Sequence, residues 1–119
     1  MARLAGKIAL IVGAGNRGNM AQVIARRFAD EGARVAVAGR KMDELERFAG
    51  ELDGIALPCD LTDRAQVFAL AEAAKAALGQ IDIAVNATGW GLLKPFLDHD
   101  EADVDAMTAL QFKGPFYFL

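Results

Sequence analysis

Short apolar runs alternate along this chain with longer stretches whose apolar residues recur at helical spacing. Lys7 to Val12, "KIALIV", has the length and composition of a buried strand. From about Asn19 to Glu31 the residues Met20, Ile24 and Phe28 fall at i, i+4 and i+8, which predicts a helix with that stripe inward, stopped by Gly32. Arg34 to Gly39, "RVAVAG", predicts a second strand. In "KMDELERFAGEL" Met42, Leu45, Phe48 and Leu52 share one helical face. Ile55 to Cys59, "IALPC", reads as a third, short strand. Thr62 is placed to cap a helix from Asp63 to about Leu78, with Val67, Leu70, Ala74 and Leu78 facing in and Gly79 ending it. Ile81 to Asn86, "IDIAVN", predicts a fourth strand. A loop, "ATGWGLLKPFLDHDE", then leads to a last helical pattern from about Ala102.

The order β-α-β-α-β-α-β-α predicts parallel strands joined by right-handed helical crossovers, a doubly wound α/β sheet. Strands that are apolar throughout suit a sheet covered on both faces, as does a hydrophobic content of 54%. At 119 residues, with no repeat, low-complexity segment or dividing linker, the chain is one domain at most. A net charge of −3 gives no basic footprint for nucleic acid. No apolar run reaches the ~18 residues of a membrane span. The single cysteine, Cys59, cannot form an internal disulfide; it reads as a core residue, and a reducing cytoplasm is the simplest home. The last residues, "FKGPFYFL", are unusually apolar for a terminus. With the fourth strand still needing a neighbour, they predict the N-terminal part of a longer protein. The alternative is a small domain that buries this end in a dimer.

Between the first strand and first helix lies "GAGNRGNMA", in which Gly13, Gly15 and Gly18 spell G-x-G-x-x-G. In that context the pattern is a phosphate loop of Rossmann type. The first glycine makes the turn, the second admits a phosphate to the backbone, and the third lets the helix pack close. The helix's unpaired N–H groups and dipole then favour a pyrophosphate. An NAD-preferring site carries an acid about 20 residues further on, at the end of the second strand. Here Gly39 stands in its place, followed by Arg40 and Lys41, and Arg17 lies inside the loop itself. Cations there suit a 2′-phosphate, so NADP(H) is expected over NAD(H). The same missing acid counts against S-adenosylmethionine.

With these residues in place, the sequence resembles the short-chain dehydrogenase/reductase family along its whole length. "GKIALIVGAG" is similar to the family's opening strand and loop, and "VAVAGRKMDELE" to its NADP-type second strand and helix. "LPCDLTD" resembles the segment after the third strand, and implies adenine contacts from Asp60 and Leu61. "LGQIDIAVNATG" resembles the fourth-strand signature Asn-Asn-Ala-Gly, which implies that Asn86 and Ala87 lie along the ribose. "ALQFKGPFYFL" resembles the long helix that carries a catalytic Asn and helps build the oligomer interface, so a homo-oligomer (dimer or tetramer) through the last helix is implied. The resemblance implies phosphate contacts from Gly13, Gly15, Arg17, Gly18 and Asn19, and a 2′-phosphate held by Arg40 and Lys41.

Three departures qualify it. The family's loop G-x-x-x-G-x-G would need glycines at 17 and 19, where Arg17 and Asn19 stand. The loop reads one residue longer, and its length to Ala21 is similar to the enoyl-acyl-carrier-protein reductase branch, with Asn16 and Ala21 in register and Asn19 replacing a Ser. That implies a reshaped phosphate contact. Thr88 interrupts the fourth-strand signature before Gly89. The catalytic Asn position holds Gln111, one methylene longer, which puts the family's ordered-water relay in doubt.

The family's proton chemistry also needs a Ser and a Tyr-x-x-x-Lys, the lysine lowering the tyrosine's pKa. These 119 residues contain no serine, and the single tyrosine, Tyr117, has no lysine four residues on. The expectation is therefore an NADP(H)-dependent oxidoreductase acting on a carbonyl or alcohol, with this chain alone binding nucleotide and reducing nothing. A non-catalytic NADP-binding sensor and an enoyl reductase are the alternatives. A Tyr-x-x-x-Lys some 40 residues downstream would favour the first, as implied by the resemblance, and a wider tyrosine-to-lysine spacing the last; neither would favour the sensor. Trp90, after the fourth strand, is placed either to wall the nicotinamide or substrate pocket or simply to pack. His99 lies in an acidic run, Asp98 to Asp105, that reads as a solvated loop and first helical turn. No metal site is expected.

Overall fold

The computed structural model describes residues 2–89 and 93–119. Strand β1 is Ile8–Val12, β2 Arg34–Gly39, β3 Ile55–Pro58 and β4 Ile83–Asn86. Helix α1 is Met20–Asp30, α2 Met42–Leu52 and α3 Arg64–Leu78. A 3₁₀ turn at Phe96–Asp98 precedes α4 (Glu101–Thr108), a π-helical turn (Ala109–Lys113) and α5 (Gly114–Phe118). All strands pair in parallel, in the order β3-β2-β1-β4.

Period-two alternation divides each strand between two cores. Ala9 and Ile11 of β1 and Val35 and Val37 of β2 face a core shared with α1 and α2. Leu10 and Val12, with Ala36 and Ala38, face the other core, filled by α3 and edged by Leu110, Tyr117 and Phe118. The chain thus has helices on both faces of a parallel sheet, the Rossmann-like α/β arrangement that the alternation predicts. The register aligns the strands' carboxyl ends: Val12 pairs with Ala38 on one side and with Asn86 on the other.

Three sequence expectations need correction. The inward face of α1 is set by Ala21 and Ala25, with Ile24 and Phe28 at its margin, and Met20 is exposed. Two alanines let the helix approach β1 closely, which a bulkier stripe would prevent. Helix α3 is capped by Asp63, whose Oδ1 accepts from the Ala65 and Gln66 amides at 3.0 and 3.3 Å; Thr62 faces Asp60 instead. A carboxylate at the cap also complements the helix dipole. The last helical pattern is interrupted by the π turn, and its apolar end divides. Tyr117 and Phe118 pack on the α3 side, while Phe112 and Phe116 are exposed.

Candidate functional site

From β1 the chain crosses first to β2 on one side and reaches β4 on the other only after α3. The loops leaving β1 and β4 therefore part at the carboxyl ends, where doubly wound sheets bind ligands. A cleft of about 680 Å³ opens there. It is lined by Gly13, Gly15, Asn16 and Asn19 from the first loop, Arg40 and Lys41 after β2, Asp60 and Leu61 after β3, and Ala87 and Thr88 after β4. Ala106, Ala109 and Leu110 close one side.

The glycine loop is held by its own polar groups. Gly13 has φ +101°, and a Cβ there would lie 2.7 Å from the Thr88 nitrogen, so the β1 and β4 loops meet only because residue 13 lacks a side chain. The amides of Gly13 and Ala14 both donate to the Ala38 carbonyl, at 2.8 and 3.2 Å. Asn19 caps α1: its Oδ1 accepts from the Gln22 amide at 3.0 Å, and its Nδ2 donates to the Gly13 carbonyl at 2.8 Å. The Gly18 amide donates to Gln22 Oε1 at 2.9 Å. Gly18 and Asn19 are thus committed to the loop's shape. The amides of Gly15, Asn16 and Arg17 make no hydrogen bond within the described residues.

The cations expected around one ribose divide between two places. Arg40 is exposed on the cleft, and Lys41 Nζ donates to Asn16 Oδ1 at 2.7 Å, bridging the end of β2 to the glycine loop. Arg17 instead lines a groove between α1 and α2, beside Gln22, Arg26 and Arg47. Asp60 folds into a tight turn, its Oδ1 accepting from the Thr62 hydroxyl at 2.6 Å and the Thr62 amide at 3.0 Å. The Thr62 hydroxyl bond leads in holding its carboxyl below the usual range, and the nearby Arg40 charge adds to it. Asp60 Oδ2 accepts nothing within the described residues. Leu61 is buried beside it. Burial pushes the Cys59 thiol up to about 11, which makes it inert as a nucleophile.

On the β4 side the ladder continues through the Ala87 amide, which donates to the Val12 carbonyl at 2.9 Å. Asn86 Oδ1 accepts from the Thr88 amide at 3.0 Å. Thr88 Oγ1 is buried in the cleft wall without a partner among the described residues. Trp90 lies outside the described residues. Gln111 sits on the π turn with an exposed side chain, its Nε2 4.0 Å from Met107 Sδ. Such turns recur at functional sites. The acidic run behaves as a capped helix start: Asp100 and Asp103 form a reciprocal capping box, and Asp103 pairs with Lys94 at 2.6 Å. His99 lies 3.7 Å from the same carboxylate.

Two residues of this site carry little signal in the sequence. Thr88 stands there only as a break in a signature. Gln22 belongs to no motif, although a polar residue between Ala21 and Ala25 on a buried helix face is a readable signal once the inward stripe is placed correctly.

The family described as "Enoyl-(Acyl carrier protein) reductase" matches residues 13–119. An uncharacterized oxidoreductase of Staphylococcus aureus strain N315 is 33% identical over 98% of this chain and 51% of its own length. The D-threitol dehydrogenase of Mycolicibacterium smegmatis is 35% identical over 96% of this chain and 45% of its own. Among solved structures, a hydroxysteroid dehydrogenase from Escherichia coli superposes with a TM-score of 0.87 at 37% identity, covering 98% of this chain and 51% of that one. A putative short-chain alcohol dehydrogenase from Sinorhizobium meliloti 1021 gives 0.89 at 32% identity, over 97% and 47%. The chain spans about half the length of the relatives it matches.

Proposed function

This chain belongs to the short-chain dehydrogenase/reductase family, and from that premise we propose that it is the NADP(H)-binding part of an oxidoreductase acting on a carbonyl or alcohol. The observation that carries the reading is the cleft itself: a span of unengaged amides at Gly15, Asn16 and Arg17 beside Arg40 and Lys41, with glycine where an NAD-type site has its acid. The donor set fits a dinucleotide phosphate. Backbone N–H groups at the start of α1 would take the pyrophosphate. Arg40 would grip the 2′-phosphate in bidentate fashion, with Lys41 as a second charge tethered to the loop. Asp60 Oδ2 is left to accept from the adenine amino group, with Leu61 as the apolar wall beneath. Asn86 and Ala87 would border the ribose. The orphan Thr88 hydroxyl is a buried polar group that bound cofactor would satisfy.

When bound, the nicotinamide supplies or accepts a hydride. This chain's residues bind and orient the cofactor; the serine and Tyr-x-x-x-Lys that move the proton do not occur within these 119 residues. On its own the chain would bind nucleotide without turnover. Gln111 would be the residue at the catalytic amide position. The exposed apolar side chains Val104, Phe112 and Phe116 of the α4–α5 region suit a homo-oligomeric contact. Among the described residues no helix is long and apolar enough to cross a membrane.

Arg40→Asp tests the cofactor. NADPH affinity should fall by about a hundredfold, ~2.7 kcal/mol, as a charge-assisted bond becomes a repulsion. NADH affinity should change by less than about threefold, because no 2′-phosphate is present. Equal losses in a titration calorimeter would overturn the assignment. A second reading, reduction of an enoyl thioester, is favoured by the longer loop and by the description of the matching family. A tyrosine-to-lysine spacing wider than Tyr-x-x-x-Lys in the encoding gene would select it.

A further inference from the structure

Gln22 is 3% exposed, a polar side chain on the buried face of α1. Its Oε1 accepts from the Gly18 amide at 2.9 Å. Its Nε2 donates to the Ala14 carbonyl at 2.9 Å and to Glu44 Oε2 at 2.7 Å. Both donors and the acceptor of the amide are therefore engaged. The two loop contacts fall on either side of residues 15–17, the span whose own amides are unengaged. Gln22 clasps the loop at both ends of that span and fixes where those N–H groups point.

The third bond reaches α2. Glu44 is gripped in bidentate fashion by Arg47, Nε to Oε1 at 2.7 Å and Nη2 to Oε2 at 2.6 Å. Helix α2 begins directly after Arg40 and Lys41. The same amide thus ties the phosphate loop to the helix that follows the cleft's cations. A buried, fully engaged amide has few alternative arrangements, because any other leaves a desolvated polar group unpaired.

We propose that Gln22 is a positioning residue for the pyrophosphate: it sets the Ala14–Gly18 loop and locks it to α2 through Glu44. This rests on the dinucleotide reading above. The test uses the full-length protein with Gln22→Leu, near in volume but without hydrogen bonds. Calorimetric titrations would use NADPH, NADH and 2′-AMP, the last carrying the adenine and 2′-phosphate but no pyrophosphate. NADPH and NADH should both weaken at least about tenfold, while 2′-AMP stays within about twofold. The double substitution Gln22→Glu with Glu44→Gln is the second variant. Its carboxylate at position 22 still accepts from Gly18 and its amide at position 44 donates back to that carboxylate, while the Ala14 bond and the Arg47 Nη2 bond to position 44 are lost and Arg47 Nε keeps its acceptor there. The double variant therefore serves if the leucine variant does not fold. The negative charge it moves behind the loop should again weaken the dinucleotides more than 2′-AMP. A folded variant that binds dinucleotides as wild type does, or that loses all ligands by one factor, overturns the positioning role and leaves the dinucleotide reading standing. Wild-type protein that binds neither dinucleotide overturns both.

Discussion

At Gly13 the chain has no room for a side chain. Its φ of +101° and the 2.7 Å approach of a built Cβ to the Thr88 nitrogen come from one cause, the meeting of the β1 and β4 loops. Gly13→Ala should destabilise the fold by about 2–4 kcal/mol, from backbone strain and steric overlap together. Urea unfolding measures it, and an unchanged midpoint would mean that the loops do not meet as described. That residue 13 should be glycine was legible from the motif; the partner that enforces it was not, because Thr88 lies 75 positions away in sequence. Gly18 and Asn19 show the same limit. The resemblance implies both as phosphate contacts, but the bonds that hold them in the loop, Gly18 N–H to Gln22 Oε1 and Asn19 Nδ2 to the Gly13 carbonyl, leave no mark in the sequence.

Elements were legible where a period and a stop signal agreed. Strand β2 and helix α2 lie where the pattern places them, and α3 ends at Gly79 as expected. Faces were harder: on α1 the larger apolar residues suggest one stripe, while the contact with β1 is made by alanines. Cross-element pairs were not legible at all. Glu44 of α2 is the clearest case, its carboxyl held down to about 2 by Arg47 first and then by Gln22. A depressed carboxyl pKa stabilises the fold above its unfolded value of 4.5, and that stability is lost as pH falls from there toward about 2. Wild-type urea midpoints should therefore drop more steeply over that interval than those of Glu44→Gln. Parallel acid profiles would show that Glu44 contributes nothing to acid sensitivity.

At the scale of the molecule, the sheet order decides where the cleft lies. With β1 between β2 and β4, the loops of a Rossmann-like sheet separate at one place, and Gly13, Arg40, Asp60 and Ala87, one from the loop after each strand, line the cleft there. Cys59 reports on the integrity of that assembly: it is 2% exposed, lines the cleft and has a thiol raised to about 11. At a pH near 8, a thiol reagent should label the folded protein at least about a hundredfold more slowly than the urea-unfolded chain, because labelling needs opening. Labelling at the unfolded rate would mean that the α3 side of the sheet is not closed. Strand β4, by contrast, pairs with β1 alone among the described residues, and Leu93, Phe96 and Leu97 are exposed after it.

The α/β alternation, the glycine-rich loop between β1 and α1, and the absence of an acid directly after β2 follow from the order of amino acids alone, because each is a local pattern of period, glycine spacing or charge. Folding was needed to decide which loop amides stay unengaged, which of Arg17, Arg40 and Lys41 reach the cleft, and that Gln22 joins the loop to α2. Those outcomes depend on groups brought together by the sheet order, and hydrogen bonds between residues distant in the chain leave no periodic trace along it.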